Sequence, residues 1–453
     1  MSPVLFRRRI TVAYRSLAAV LILLALTHPC TAADPPTRDD YRQLADEIHR
    51  HFDANVLRPF FPRSLDRRHG GFYANYSPDW TPAKSQDRFL VFQSRMTWVA
   101  AQVALRRPDL RDEYRGYARH GLDMLRRMED PEQGGLFWGL DESGKIDARK
   151  FGTFKHAYAL SFGVYAAAAV FEATGDQAAL DFANKQFDWF DRHAHDDKNG
   201  GYFESLNRDG TPIRPADLAR TLDNRSPGPD VSYGYKSMNS HIHLLESLTA
   251  LYHAGKDPRV RQRLEEVFLI VRDRIAVEPG CLNQFFTPDW RAVPDFDSFG
   301  HDIETTYLLL EASETLGRTD EDATMKIARR LLDHALDWGF DWRNGGFYDK
   351  GAAFEKPHGL DKVWWTQAEG LNSLLLMHQR FGQDTDRYWK AFQLTWHFVN
   401  DHMTDQQNGG WYSTTDESGK VTGPSKANDW KACYHDGRAL MNMEERLRRM
   451  AGD

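Results

Sequence analysis

Gly345-Gly346-Phe347-Tyr348 decides the fold, because it is one copy of a repeat. The same signature, two glycines and then aromatics, stands at Gly70-Gly71-Phe72-Tyr73, Gly134-Gly135-Leu136-Phe137-Trp138, Gly200-Gly201-Tyr202-Phe203 and Gly409-Gly410-Trp411-Tyr412. In chain order the first glycines are 64, 66, 145 and 64 residues apart. The long step is about two ordinary ones, and a degenerate copy, Gly280-Cys281-Leu282-Asn283-Gln284-Phe285-Phe286, fits the gap. Six units of roughly 65–70 residues result, and a fixed period of this kind signals a repeat architecture.

Each unit reads alike. A helical segment runs up to the glycines: Phe187 to His193, Ile327 to Trp338 and Trp396 to His402 are examples. The glycines allow positive φ where a helix ends in a tight turn. A short aromatic strand follows, then a turn such as Asp141-Glu142-Ser143-Gly144, Asn207-Arg208-Asp209-Gly210 or Asp416-Glu417-Ser418-Gly419, which are hairpin signals. An apolar helix completes the unit: Val91 to Leu105, Ala157 to Thr174, His241 to His253, Ile303 to Leu316, Trp365 to Phe381 and Gly437 to Met450. Six helix pairs closing on themselves make an (α/α)6 barrel. The expectation is a single all-α domain over residues 34–453, with short β-hairpins at one rim. The second helix of each pair would line the cavity, its N-terminus at the mouth. The stretch Thr211 to Pro229, rich in Pro, Asp and Arg, reads as a loop over that rim.

The N-terminus stands apart. Arg7, Arg8, Arg9 and Arg15 precede an apolar core from Leu17 to Leu26, and Thr31-Ala32-Ala33 offers a small-residue cleavage site. The pattern is that of a secretory signal peptide over residues 1–33, with an apolar stretch too short to span a bilayer comfortably. A secreted or periplasmic mature protein, with no membrane segment, is expected. Beyond it only Cys281 and Cys433 remain. Export permits a bond between them, and their separation says little for one. The net charge of −7 comes without a basic block in the mature chain, which argues against nucleic acid as a partner. Aromatics make up 13% of the residues, with 13 tryptophans, enough to furnish a carbohydrate-binding surface as well as a core.

Polar residues fall in one place on this plan. Asn239-Ser240-His241-Ile242-His243-Leu244-Leu245-Glu246 opens an inner helix, and its i, i+4 and i+7 positions put Asn239, His243 and Glu246 on one stripe. His241 lies about 200° around from His243, behind that stripe. His301-Asp302-Ile303-Glu304 repeats the spacing of a histidine and a glutamate one turn later. A carboxylate so placed can orient an imidazole and raise its basicity. Arg95, Tyr158 and Glu369 also lie early in inner helices, and His435 lies just before the last one. Six repeats therefore aim polar groups at one end of a cavity, which unrelated structural histidines have no reason to do. His156, His193 and His195 read as loop or surface histidines, and Trp138, Trp396 and Trp411 as packing residues.

Taken together, Gln93-Ser94-Arg95, the Asn239 to Glu246 block, Gly300-His301-Asp302-Ile303-Glu304, Trp364-Trp365-x-Gln367-Ala368-Glu369 and Asp429-Trp430-Lys431-x-x-Tyr434-His435 resemble the N-acylglucosamine 2-epimerase superfamily. Within it they are most similar to the cellobiose (and mannobiose) 2-epimerases, over essentially all of residues 34–453. The resemblance implies a cofactor-independent, metal-free isomerase that inverts a reducing sugar at C2, acting on a small-molecule disaccharide as a monomer or weak dimer. It implies His301 and His435 as the acid/base pair, His243 as an aid to ring opening, and Arg95 as the holder of developing negative charge. Glu246 and Glu304 would tune their histidines. Asn239, Tyr158 and Glu369 would bind hydroxyls, and Trp364, Trp365 and Trp430 would supply faces for the sugar.

The chemistry suits those residue types. C2 inversion needs an open ring, removal of a weakly acidic C–H, and reprotonation from the other face. Neutral imidazoles have a pKa near the working range for that task, and a fixed cation stabilises the enediolate. Three rivals use the same residues differently. A glycoside hydrolase would recruit two of the glutamates, a metal-dependent isomerase would use the His and Glu pairs as ligands, and a sugar-binding protein would use none of them chemically. A monosaccharide 2-epimerase or aldose–ketose isomerase, acting on N-acetylglucosamine or mannose, shares the same intermediate.

Overall fold

Helix starts are written into the chain by capping residues. Thr37 and Asp40 form a reciprocal capping box, Asp176 caps the amide of Ala178, and Asp257 caps a helix with Pro258 in its first turn; each satisfies amides that the first turn leaves unpaired. The structure, a computed structural model, describes residues 35–213, 236–293, 296–318, 321–353, 355, 357 and 359–453. The secretory segment expected at 1–33 and most of the expected rim loop at 211–229 lie outside them.

Twelve long helices are found among the described residues. They are α1 (Arg38–Phe52), α2 (Leu90–Arg106), α3 (Arg111–Arg127), α4 (Ala157–Thr174), α5 (Gln177–Ala194), α6 (Met238–Gly255), α7 (Pro258–Ile270), α8 (Phe299–Leu316), α9 (Glu321–Trp338), α10 (Trp364–Phe381), α11 (Arg387–Phe398) and α12 (Tyr434–Ala451). Burial separates two classes. In α2 every residue from Leu90 to Ala104 is buried, as expected for a helix covered on all sides. In α3 only one stripe is buried, including Tyr114, Ala118, Leu122 and Leu125. Helices α2, α4, α6, α8, α10 and α12 pack each on the next and the last on the first, forming the inner ring of an (α/α)6 barrel. The unit spans Thr37–Asp453. Helix α4 is long and apolar enough to cross a membrane by length and composition, and here it is an inner-ring core helix.

Pairing differs in one respect from the sequence expectation. The tight pairs run inner helix first, then outer: α2 with α3, α4 with α5, and so on. Short connections, such as that from Arg107 to Leu110, fold each outer helix straight back along its inner neighbour. The longer connection carrying the Gly-Gly turn steps to the next position on the ring. The sixth pair joins the two ends of the chain, α1 packing on α12.

That longer connection builds the rim. Arg88–Phe89 pairs antiparallel with Gly139–Leu140, Lys155–His156 with Ser205–Leu206, Lys236–Ser237 with Phe285–Phe286, and Lys362–Val363 with Thr414–Thr415. Single bridges, Asp297 with Gly351 and Tyr76 with Ala427, continue the pattern. Each strand leading into an inner helix thus holds the strand of the following unit, and the degenerate copy at Phe285–Phe286 takes its place among the rest. The glycines are needed: Gly345 and Gly346 have φ of +84° and +86°, and a Cβ on Gly346 would stand 2.7 Å from the Gln367 side-chain oxygen.

Two buried contacts recur with the repeat. An aspartate four residues ahead of each full Gly-Gly caps the turn amides, and its second oxygen takes a buried cation from the chain leading into an inner helix, two residues ahead of the helix in four units and eight ahead at Lys426. The pairs are Arg88 with Asp66, Lys155 with Asp130 at 3.1 Å, Lys236 with Asp196 at 2.8 Å, Lys362 with Asp341 at 2.8 Å, and Lys426 with Asp405. In addition, the fourth residue of an inner helix accepts the amide that follows the glycines. Gln93 takes Phe72 N at 2.7 Å, His241 takes Tyr202 N at 3.1 Å, Asp302 takes Leu282 N at 2.9 Å and Gln367 takes Phe347 N at 2.7 Å.

Candidate active site

The inner helices begin at the strand-bearing rim, so residues in their first turns share one end of the barrel. Arg95 comes from α2, Tyr158 from α4, Asn239, His243 and Glu246 from α6, His301 and Glu304 from α8, Trp364, Trp365 and Glu369 from α10, and His435 from α12. Trp430 stands in the loop ahead of α12, 39% exposed, its ring 4.8 Å from that of Phe89. Arg95, Tyr158, His243, Glu246, Glu304, Glu369 and His435 are buried.

Arg438, one turn beyond His435, ties the floor of the site together. Its guanidinium donates to Glu246, to Glu304 at 2.5 Å and to Glu369 at 2.7 Å. Burial works against its charge, and Glu369, Glu246 and the adjoining tyrosines hold its pKa well above the ordinary arginine value. Around this cation each carboxylate has a second task. Glu369 lies 2.5 Å from His435 Nδ1 and accepts from the Tyr307 hydroxyl at 2.8 Å. Glu246 lies 3.1 Å from His243 Nδ1 and accepts from Tyr434. A carboxylate only accepts, so each imidazole carries a proton on the Nδ1 that faces its glutamate; for His435 this leaves the lone pair on Nε2.

His301 is held otherwise. Its Nδ1 lies 2.6 Å from the Ser298 hydroxyl, and its ring lies 4.8 Å from that of Trp365. The His435 ring lies 5.6 Å from the same tryptophan, so Trp365 borders both imidazoles. His243 packs against Tyr158 at 5.1 Å and Phe162 at 4.8 Å. Arg95 donates to the Tyr158 hydroxyl and to the Trp430 carbonyl, both at 3.0 Å, while its Nε finds no partner. The Asn239 side-chain oxygen and one oxygen of Glu304 are likewise buried without a partner.

Burial sets the protonation states. It lowers His301 to about 4 against the pull of Glu304, with nearby His243 and Arg95 adding to the effect. It holds His435 well below the usual imidazole value, with Arg95 adding to the effect. Both rings are therefore neutral bases near pH 7. Burial alone would raise Glu246, but Arg438 and His243 bring it down to about 2. Glu369 is raised, burial outweighing Arg438 and Tyr307. Glu304, Glu369 and His435 offer atoms within 4.8 Å of one another, as a metal site would. Arg438 already places a positive charge on both carboxylates, so this donor set has a cation without a metal.

Several readings need correcting. The second His–Glu pair does not form: Ser298 takes His301, and Glu304 turns to Arg438, because a buried guanidinium outcompetes a neutral ring for a carboxylate. Glu369, expected on a sugar hydroxyl, has both oxygens engaged within the protein, by His435, Arg438 and Tyr307. His156 is buried rather than on a loop surface, with both ring nitrogens unpartnered. The His195 side chain is 7% exposed and bound to Asp197 and Glu266. His241 sits behind the site as its phase requires. Cys281 and Cys433 are separate buried thiols. Arg438, Ser298 and Tyr307 went unread, and Tyr434 stood only as part of a motif without a role of its own. The available signal for Arg438 was charge: three glutamates aimed into one cavity require a buried cation.

Neutral imidazoles, a buried arginine and an aromatic border suit proton transfer at a sugar carbon, and comparison with known proteins puts the protein in that class, as a carbohydrate isomerase or epimerase. The chain belongs to the N-acylglucosamine 2-epimerase (GlcNAc 2-epimerase) family, whose profile matches residues 71–439. It is similar to the cellobiose 2-epimerase of Bacteroides fragilis, 28% identical over 405 residues that cover 88% of this chain and 98% of that protein. The D-mannose isomerase of Marinomonas mediterranea is 24% identical over 394 residues, 83% of this chain and 91% of that one. Among solved structures, the cellobiose 2-epimerase of Spirochaeta thermophila aligns with a TM-score of 0.78 at 30% identity, covering 91% of this chain and 98% of that one.

Proposed function

We propose that the protein is a cofactor-independent 2-epimerase of reducing β-1,4-linked disaccharides, converting glucose to mannose at the reducing end. The observation that carries this reading is the pair His301 and His435: two neutral imidazoles, from different inner helices, bordering one tryptophan face. One removes the C2 proton of the open-chain sugar, and the other returns a proton to the opposite face, drawing it from solvent. Arg95 faces the negative charge that develops on the enediolate. His243, its Nδ1 proton held by Glu246, exchanges a proton with the ring and anomeric oxygens as the sugar opens. Trp365 and Trp430 offer flat apolar faces to the two sugar rings. Hydrolysis fits less well, because Glu246, Glu304 and Glu369 all share Arg438 and none stands as an isolated acid. Similarity to cellobiose 2-epimerases supports the disaccharide, and the N-terminal arginines, apolar core and Thr31-Ala32-Ala33 support delivery by export.

The test is NMR of cellobiose and mannobiose in deuterated buffer with the mature protein. The expected result is deuterium at C2 and a mannose signal growing at the reducing end. Monosaccharide release would favour a hydrolase, and binding without exchange a carrier. The D-mannose isomerase relative supports a second reading, aldose–ketose isomerisation, which the same spectra would reveal as a ketose with proton transfer to C1.

A further inference from the structure

The degenerate unit inverts the charge pattern of the other five. Elsewhere a buried Arg or Lys, two residues ahead of the inner helix at Arg88, Lys155, Lys236 and Lys362, meets the aspartate four residues ahead of Gly-Gly. In the degenerate unit the position two residues ahead of α8 is Asp297, and the position four ahead of Gly280 is Ala276. The buried cation has become an anion and its partner carboxylate has become a methyl group.

What faces Asp297 makes the imbalance worse. Asp302 spends one oxygen on the Leu282 amide at 2.9 Å, the contact its position makes in other units, and its other oxygen has no partner. Neither Asp297 oxygen makes a hydrogen bond of good geometry; they face the Asp302 carboxyl, and burial in each other's company raises both acids. His334, on outer helix α9, turns a third group toward them. Its Nε2 lies 2.6 Å from the Ala353 carbonyl and must donate there. That leaves Nδ1 as a bare lone pair, also unpartnered, 3.6 Å from Asp297 and 3.9 Å from Asp302. Those separations exceed hydrogen-bond length. Asp302 is fully buried, and Asp297 and His334 are each 4% exposed. The three donor atoms lie within 4.8 Å of one another. A histidine whose far nitrogen is fixed by a carbonyl is the arrangement found at metal-ligating imidazoles.

The geometry points to a divalent transition-metal ion, zinc fitting best, bound by Asp297, Asp302 and His334 as a structural replacement for the missing lysine. One nitrogen and two carboxylates are a suitable ligand set, and the three groups would draw together around the ion to reach zinc bonding distances. The buried thiol of Cys281 lies outside this cluster, so water would complete the coordination. The ion would clamp α8 to α9, which Lys–Asp pairs achieve elsewhere by joining a Gly-Gly turn to the next strand. It stands behind the inner ring and takes no part in the sugar chemistry.

The test uses the full chain, purified without added metal. Elemental analysis is expected to find about one zinc, or other divalent transition metal, per chain. Chelation is expected to lower Tm by several degrees and zinc chloride alone to restore it. Cobalt chloride added to the chelated protein should give visible d–d bands. Asp302→Asn keeps an acceptor for the Leu282 amide, so it should fold and yet lose the metal; His334→Gln should lose it too. C2 exchange measured below the lowered Tm should survive chelation. A wild-type protein that carries no metal and shows neither a Tm shift with zinc nor bands with cobalt overturns the proposal. So do variants that keep a full equivalent. Three groups sharing protons would then be the correct description.

Discussion

His435 Nδ1 lies 2.5 Å from Glu369 Oε1, across the gap between the last inner helix and the one before it. That contact fixes which nitrogen of the ring is the base. With a carboxylate on Nδ1, the proton stays there and the lone pair is left on Nε2. Glu369→Gln keeps the shape but removes the charge that raises the basicity of the ring. By analogy with the carboxylate partners of metal-bound histidines, a loss of about 10–100-fold is expected. The expected effect falls on kcat for C2 exchange with KM little changed, and a steady-state comparison on cellobiose measures it. An unchanged kcat would remove Glu369 from the orienting role.

Arg438 is the one cation shared by Glu246, Glu304 and Glu369. Arg438→Met leaves buried carboxylates without a counter-charge, and breaking a buried pair costs about 3–5 kcal/mol. Arg438→Lys should recover little of this, since one ammonium cannot present a planar fork to three acceptors. Urea denaturation of the three proteins gives the comparison. A lysine variant as stable as wild type would mean that net charge alone, without geometry, holds the site.

Trp430 is 39% exposed beside Phe89, whereas Trp365 borders the two histidines. If the reducing sugar lies against Trp365, the second sugar of a disaccharide reaches Trp430. Trp430→Ala is expected to raise KM for cellobiose several-fold, an order set by a stacking contact of about 1 kcal/mol, and to leave kcat nearly unchanged. Mannose should be indifferent to the change. Equal effects on both sugars would place Trp430 in the packing of the loop instead.

The period of the Gly-Gly signature was enough to count the units, because each unit must place a positive-φ turn between an outer helix and a strand. The helix α4 runs over the expected residues, Ala157–Thr174. The common location of the polar residues followed from the same count. Partner choice inside the cavity did not, because spacing along one helix cannot show what another helix contributes. Glu304 has the spacing of Glu246 and a different partner. Arg438 lies on a helix that also carries Glu444, Glu445, Arg448 and Arg449, where one more charge reads as solvated surface. His156 precedes its helix in a two-residue strand, too short for any alternation to mark it as buried.

Helix position also makes a prediction about acid stability. His241 occupies the place that Gln93 and Gln367 hold in their units, accepting a backbone amide on Nε2 while Nδ1 lies 2.7 Å from the Ser237 carbonyl. Accepting and donating at once requires the neutral ring, and burial lowers its pKa to about 4 from 6.5. The unfolded chain takes up this proton as pH falls below 6.5, while the folded chain does not until about pH 4. Its contribution is therefore complete above pH 6.5 and is lost as pH falls toward 4. His51 and His301, also lowered to about 4, act in the same direction. Glu311, raised to about 7 by burial, acts in the opposite one. His241→Gln substitutes the residue that performs this contact elsewhere in the ring and removes one titration. The variant should match wild-type stability at pH 7.5 and exceed it at pH 5, by a free energy of unfolding on the order of 2 kcal/mol, with a correspondingly higher Tm. Thermal unfolding of both proteins across that range reads the difference. Parallel curves would show that the imidazole at this position stays out of the acid response.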